Sequence, residues 1–115
     1  MPLMRVETNL ELTAEQEKEK NAIFSTAVAE MLQKEEKWVM SLVESGRTLS
    51  FGGSVEPAAF VELKSIGLRE TSCAPLSAQI CALLHRELNI PADRVYIEFK
   101  DAERGFFGWN GGTFA

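Results

Sequence analysis

The amino-acid sequence predicts an α+β fold: two β-α-β units in succession, building a four-stranded sheet with both helices on one face. Three observations predict it. Strand-like alternation and helix-like periodicity run strand, helix, strand, twice over. A shift of 56 residues lays Leu32 on Leu88 and Val39 on Val95, a repeat of pattern more than of identity. The chain has 115 residues, one domain's worth, so residues 1–115 are read as a single unit.

Leu3 to Thr8 is the first strand, with Met4 and Val6 on one face and Arg5 and Glu7 on the other. Thr13 to Gln16 is a capping box, in which the Thr13 hydroxyl accepts from the third helical N–H and Gln16 reaches back. The helix that follows carries Phe24, Ala27, Val28 and Met31 at helical spacing. Its charge run, Glu15 and Glu17 to Lys20, is expected to be a solvated face. A strand from about Trp38 to Val43 closes the first unit. Gly52 and Gly53 read as a tight turn, since the full phosphate-loop pattern is lacking. In the second unit, Ala59 to Ile66 alternates, with Val61 and Leu63 opposed to Phe60, Glu62 and Lys64. A helix over Cys73 to Leu88 aligns Leu76, Ile80, Leu83, Leu84 and Leu88, with Pro75 in its first turn. Val95, Ile97 and Phe99 then alternate with Tyr96 and Glu98 as a half-buried strand.

The net charge of −5 and pI near 4.9 argue against nucleic acid or an anionic membrane as partner, while leaving small anions open to a local cation. Cys73 and Cys81 would lie about 12 Å apart along a helix, too far for a disulfide. No zinc spacing exists and His85, read as a surface residue, is alone, so no metal is expected; Cys81 is expected to pack. No apolar run nears the roughly 20 residues of a membrane span, and no signal-peptide pattern opens the chain. A cytoplasmic protein is expected, leaving the cell by another route if it acts outside. A sheet with helices on one side leaves its other face uncovered. Yet Trp38, Met40, Leu42, Phe60, Val61, Leu63, Val95, Ile97 and Phe99 look sufficient for two apolar faces. The tail adds Phe106, Phe107, Trp109 and Phe114 among glycines, and burial in a subunit interface is the simplest remedy for that patch.

Several segments have a familiar order and spacing: Met1, Pro2 and Leu3; Phe51 to Ser54; Glu56 and Pro57; Ser65 to Gly67; Ile90 to Ile97; and Gly108 to Phe114. Together they resemble the macrophage migration inhibitory factor and dopachrome tautomerase family over essentially the whole chain. The resemblance implies a homotrimer whose three sheets form an inner barrel, with active sites between neighbouring subunits. It implies cofactor-independent tautomerase chemistry on small aromatic keto acids such as phenylpyruvate, or on dopachrome-type substrates. In animal members it also implies a cytokine role. The alternative is therefore a receptor-binding protein with a weak or vestigial pocket, its partner a cell-surface receptor.

Pro2 is the first candidate residue. Removal of Met1 would expose a secondary amine, and a terminal amine ordinarily titrates near 7.7–8.0. Apolar surroundings and a nearby cation lower that value toward the range useful to a general base. Lys34 falls where the family has a substrate-binding lysine, but the usual Gly-Lys-Pro is here Gln33, Lys34 and Glu35, which puts the aim of the ammonium in question. The resemblance directs the Ile66 N–H to a substrate oxygen, with Ser65 beside it, and brings Tyr96 in from the neighbouring subunit. It makes Trp38, Phe107, Trp109 and Phe114 the apolar walls. Glu98 stands where an amide is usual, and shares a strand face with Tyr96. The redox activity claimed for some members needs a Cys pair where this chain has Ala58 and Val61, so that activity is expected to be absent.

Overall fold

The computed structural model describes residues 1–115. In order they form β1 (Leu3–Thr8), α1 (Ala14–Leu32), β2 (Met40–Glu44), β3 (Ala59–Ile66), α2 (Glu70–Leu88), β4 (Val95–Ala102) and a tail hairpin of β5 (Gly108–Trp109) and β6 (Gly112–Thr113). The main sheet has the order β2-β1-β3-β4. Within each unit the strands are parallel, β1 to β2 and β3 to β4, and the units join through antiparallel β1 and β3. No helix is long and apolar enough to cross a membrane.

The repeat is deeper in the backbone than in the side chains. Both helices start and end 56 residues apart, and each ends on a left-handed residue, Gln33 and Asn89. The 3-10 turns that follow, Glu36–Trp38 and Ala92–Arg94, keep the same offset. The capping box forms as expected: Gln16 N–H donates to Thr13 Oγ1 at 3.1 Å and Thr13 N–H to Gln16 Oε1 at 2.9 Å. Phe51 and Ser54 exchange backbone hydrogen bonds across Gly52 and Gly53, the tight turn expected there. His85 is exposed and both cysteines are free and half-buried.

Two boundaries differ from the sequence reading. The β2 strand starts at Met40, because Trp38 and Val39 donate back to Glu35 and Glu36 and wind the preceding residues into a 3-10 turn. The α2 helix starts at Glu70, a turn before Cys73, where polar residues hide the apolar period; Pro75 therefore lies inside the helix and leaves the Thr71 carbonyl without its helical donor.

The core lies between the helices and one face of the sheet. Met4, Val6, Val61 and Leu63 meet Phe24, Val28, Ile80, Leu83, Leu84 and Leu88 there, with Val95, Ile97 and Phe99 at its border. The other face is not the second apolar face expected. Strand register puts Val61, Leu63, Ile97 and Phe99 all on the helix side, and the opposite parity mixes charged residues with Leu3, Met40, Leu42, Phe60 and Tyr96. An ion-pair chain crosses all four strands: Arg47 to Glu44 and Glu7, Glu7 to Arg5, Arg5 to Glu62, and Lys100 to Glu62 and Glu98. Burial raises the Glu62 carboxyl, but the hydrogen bond from Lys100 and the charges of Lys64, Lys100 and Arg5 outweigh it, so it sits below its usual 4.5.

The charge run on α1 is only partly solvated. Glu17 accepts from the Ser45 N–H at 3.0 Å and hydroxyl at 2.6 Å, and Lys20 donates to Glu87 at 3.3 Å. These bonds tie α1 to the end of β2 and to α2.

Candidate functional site

Pro2 is fully buried just before β1, and its carbonyl accepts from the Met40 N–H at 2.9 Å. The antiparallel pairing of Leu3 with Lys64, continued by one residue, sets Pro2 opposite Ser65. Lys34 reaches the same point from the end of α1: its Nζ donates to Ser65 Oγ at 3.2 Å and to the Ile66 carbonyl at 2.9 Å. The turn that aims it works without the family's Gly and Pro. Gln33 takes φ 53°, its N–H bonds the carbonyls of Ala29 and Glu30, and the Lys34 N–H bonds Ala29 at 3.0 Å. Burial, then the Lys34 ammonium, and finally Arg104 lower the terminal amine of the chain, on Met1, below its ordinary 8.0.

The aromatic wall forms within one chain. The Trp38 ring meets Trp109 edge-on at 5.0 Å and Phe114 at 6.1 Å; Phe114 stacks on Trp109 at 6.0 Å and lies 6.1 Å from Phe107. Asn110 and Gly111 turn the tail with positive φ, and the Phe114 N–H closes it onto the Phe107 carbonyl at 3.1 Å. The tail thus packs on its own chain, although Phe106 and Trp109 stay 87% and 53% exposed.

Tyr96 and Glu98 are not part of this constellation. In the parallel register Tyr96 faces Phe60, while Ile66 faces Ala102, six residues further on. Six residues of strand span about 20 Å. Tyr96 is 67% exposed and packs on Phe51, ring centroids 4.7 Å apart, and Glu98 lies 3.8 Å from Lys100.

Three residues outside the candidate set fix the loops and tail around these groups. Asp101 accepts from the Gly67 and Leu68 N–H groups at 3.0 and 3.1 Å, fixing the loop beside Ile66. Arg94, in the Ile90 to Ile97 segment, donates to the carbonyls of Phe51, Ser54, Glu56 and Pro57 and so fixes the loop that carries Phe51 at the Tyr96 end of the sheet. Arg104 donates to the Phe114 carbonyl at 3.4 Å. A cleft of about 390 Å³ between the end of α1 and the start of α2 is lined by Lys34, Ser65, Ile66 and Arg69 but not by Pro2 or the aromatic wall; it adjoins the site from behind.

The family model for macrophage migration inhibitory factor matches residues 1–115. The chain belongs to the macrophage migration inhibitory factor family. It is 37% identical to a macrophage migration inhibitory factor homolog of Trichinella spiralis, covering 99% of this chain and 100% of that one. A homolog from Brugia malayi is 42% identical over 78% of the chain and 79% of its own length. The crystal structure of the homologue from Prochlorococcus marinus superposes with a TM-score of 0.90 at 36% identity, covering 98% and 99% of the two chains. The β-α-β repeat, mixed sheet and paired helices of the present chain are those of this family's fold.

Proposed function

We propose that this family member is a cofactor-independent keto–enol tautomerase for phenylpyruvate-like 2-keto acids, with the amine of Pro2 as the base once Met1 is removed. The observation that carries the reading is the Lys34 ammonium, held at Ser65 and Ile66 beside buried Pro2; burial and that ammonium already lower the amine of Met1, one residue away, and the same causes would act on the Pro2 amine. In the reaction, Lys34 pairs with the substrate carboxylate. The Pro2 nitrogen takes a proton from C3 of the keto acid. The electron pair moves into a C2–C3 double bond, and the C2 oxygen becomes the enolate oxygen, which a proton then neutralises. The reverse sequence returns the keto form. Trp38, Phe107, Trp109 and Phe114 flank the substrate ring and keep water from the amine, which strengthens each charge interaction.

Tyr96 joins such a site only from another copy of the chain, given its distance along the strand, so the reading includes a homotrimer with sites between subunits. Glu98, from that same neighbour, would oppose Lys34. Its partner Lys100 offsets part of that charge, so its removal would raise activity only modestly.

The test is an N-terminal extension before Pro2. It removes the secondary amine and is expected to abolish phenylpyruvate enol–keto conversion while the circular dichroism spectrum stays native. Undiminished conversion in the extended protein would remove Pro2 from the mechanism. The curated relatives are named for a cytokine-like activity. Receptor binding is accordingly the second reading, and it is the one favoured if the extended and unextended proteins are equally inert.

A further inference from the structure

Six of the twelve basic side chains have no carboxylate within 4.0 Å: Lys18, Lys34, Lys64, Arg69, Arg94 and Arg104. Arg94 is occupied by four main-chain carbonyls and Lys18 is exposed on α1. The other four gather at one end of the sheet. Lys34 follows the last residue of α1, Lys64 pairs with Leu3, Arg69 precedes α2, and Arg104 follows β4, which runs parallel to β3. On a chain of net charge −5, the unanswered positive charge is therefore concentrated where Pro2 lies.

Of the nearby carboxylates only Glu62, whose carboxyl the Lys64 charge helps to lower, answers part of it. Glu35 is paired with Lys37 at 3.5 Å, Asp101 is held by two backbone N–H groups, and Glu103, though adjacent to Arg104 in sequence, makes no ion pair with it. Arg69 sits at the N-cap of α2, where a cation opposes the helix dipole. These charges are set against local stability, which points to a ligand that answers them.

Lys34 and Arg104 approach the Pro2 end of the sheet from different elements, the end of α1 and the segment after β4. Lys34 is at Ser65 and the Ile66 carbonyl. Arg104 is bonded to the Phe114 carbonyl, the Phe114 ring lies 6.1 Å from Trp38, and Trp38 is two residues from Met40, which donates to the Pro2 carbonyl. Both charges reach the terminal amine, after burial, in the order Lys34 then Arg104. Arg104 makes one hydrogen bond, leaving most of its five donors for a ligand. A phenyl ring would use none of them. We propose that the site also takes, beside phenylpyruvate-like acids, a 2-keto acid carrying a second carboxylate, with the keto-acid end on Lys34 and the second carboxylate on Arg104; this rests on the tautomerase reading above.

The chain has two tryptophans, Trp38 and Trp109, and both are in the aromatic wall, so intrinsic fluorescence reports on the site. The probes are 2-oxoglutarate and 2-oxopentanoate, keto acids of equal chain length that differ in the second carboxylate. At low salt 2-oxoglutarate should bind roughly threefold to fivefold more tightly, as for a charge pair at a solvated rim. That ratio should fall toward one in Arg104→Gln and in high salt. A ratio near one in the wild type, a ratio that survives Arg104→Gln, or no quenching by either probe overturns the proposal. Deuterium exchange at C3 of the two probes, followed by nuclear magnetic resonance, is read separately. Selective binding without any exchange sinks the tautomerase reading and leaves the inference about charge standing.

Discussion

Gln33 sits at φ 53°, a left-handed conformation that a residue with a Cβ adopts at a cost of about 1 kcal/mol. Gln33→Gly should therefore raise stability by about 0.5–1 kcal/mol, read as a higher urea midpoint with an unchanged slope. A lower midpoint would mean that the Gln33 side chain contributes packing that outweighs the backbone. The residue that follows it, Lys34, has a consequence for pH. Burial and then Lys34 lower the Met1 amine below its ordinary 8.0; acting in the same way on the Pro2 amine that replaces it, they leave a base that is protonated and idle below its lowered value and free above it. The base limb of kcat/KM should accordingly lie below pH 8. Lys34→Gln leaves the burial but removes the larger of the two charges, so the limb should move up toward 8.0 while KM for phenylpyruvate rises. A limb that stays put would separate Lys34 from the amine. At this scale the sequence pointed to Lys34, and what it hid was the aim. The loss of Gly and Pro around Lys34 removed the usual signs of the turn, whereas the left-handed Gln33 builds the turn by its own backbone bonds.

The two helices are copies in the backbone and opposites at their starts. The α1 helix begins with a reciprocal capping box, and α2 begins at Arg69 with no side-chain cap and a cation at the positive end of the dipole. Arg69→Asp supplies both a cap acceptor and the favourable charge, and should stabilise the fold by about 1 kcal/mol, a rise of several degrees in Tm. An unchanged or lower Tm would show that Arg69 makes a stabilising contact elsewhere. The apolar faces of both helices were legible because Phe24 and Val28 in α1, and Leu76, Ile80, Leu83, Leu84 and Leu88 in α2, keep a clear period. The first turn of α2 was not, since Glu70, Thr71 and Ser72 have no apolar member. The sheet was misjudged for a different reason. Counting apolar residues across the strands ignored their parity: Val61, Leu63, Val95, Ile97 and Phe99 fall on the helix side, and only Met40, Leu42 and Phe60 of those counted on the strands fall on the other. The opposite face is held by charge, with Glu62 at the centre between Arg5 and Lys100. Because the folded Glu62 carboxyl is depressed, its contribution is present above pH 4.5 and is lost as pH falls toward the folded value. Acid should thus weaken the wild type more steeply than Glu62→Gln, which is already weaker at neutral pH. Parallel urea curves at pH 7 and pH 4 measure both.

At the scale of the whole molecule, the single chain exposes more than a monomer should. Its accessible surface is 6955 Å², against about 6,300 Å² for a compact monomer of 12.8 kDa. The exposed large apolar residues, Met40, Val55, Tyr96, Phe106 and Trp109, and the open edges of β2 and β4 are where the excess can be buried. Tyr96 gives this a functional edge. It is about 20 Å along the sheet from Ile66 in its own chain, so a site using both Pro2 and Tyr96 must be built between copies. Light scattering should report about three times the 12.8 kDa chain, and removal of the residues after Gly105 should reduce that mass. The decisive measurement uses two variants together. A chain extended before Pro2 keeps Tyr96, and a Tyr96→Phe chain keeps Pro2. Unfolded together in equal amounts and refolded, they assort at random, and about a quarter of the sites join an intact Pro2 to an intact Tyr96 in a closed ring. Activity of the mixture should rise above the mean of the two parents toward that fraction. If it equals the mean, with trimers present, each site draws both residues from one chain or does not use Tyr96, and the shared-site assembly is wrong.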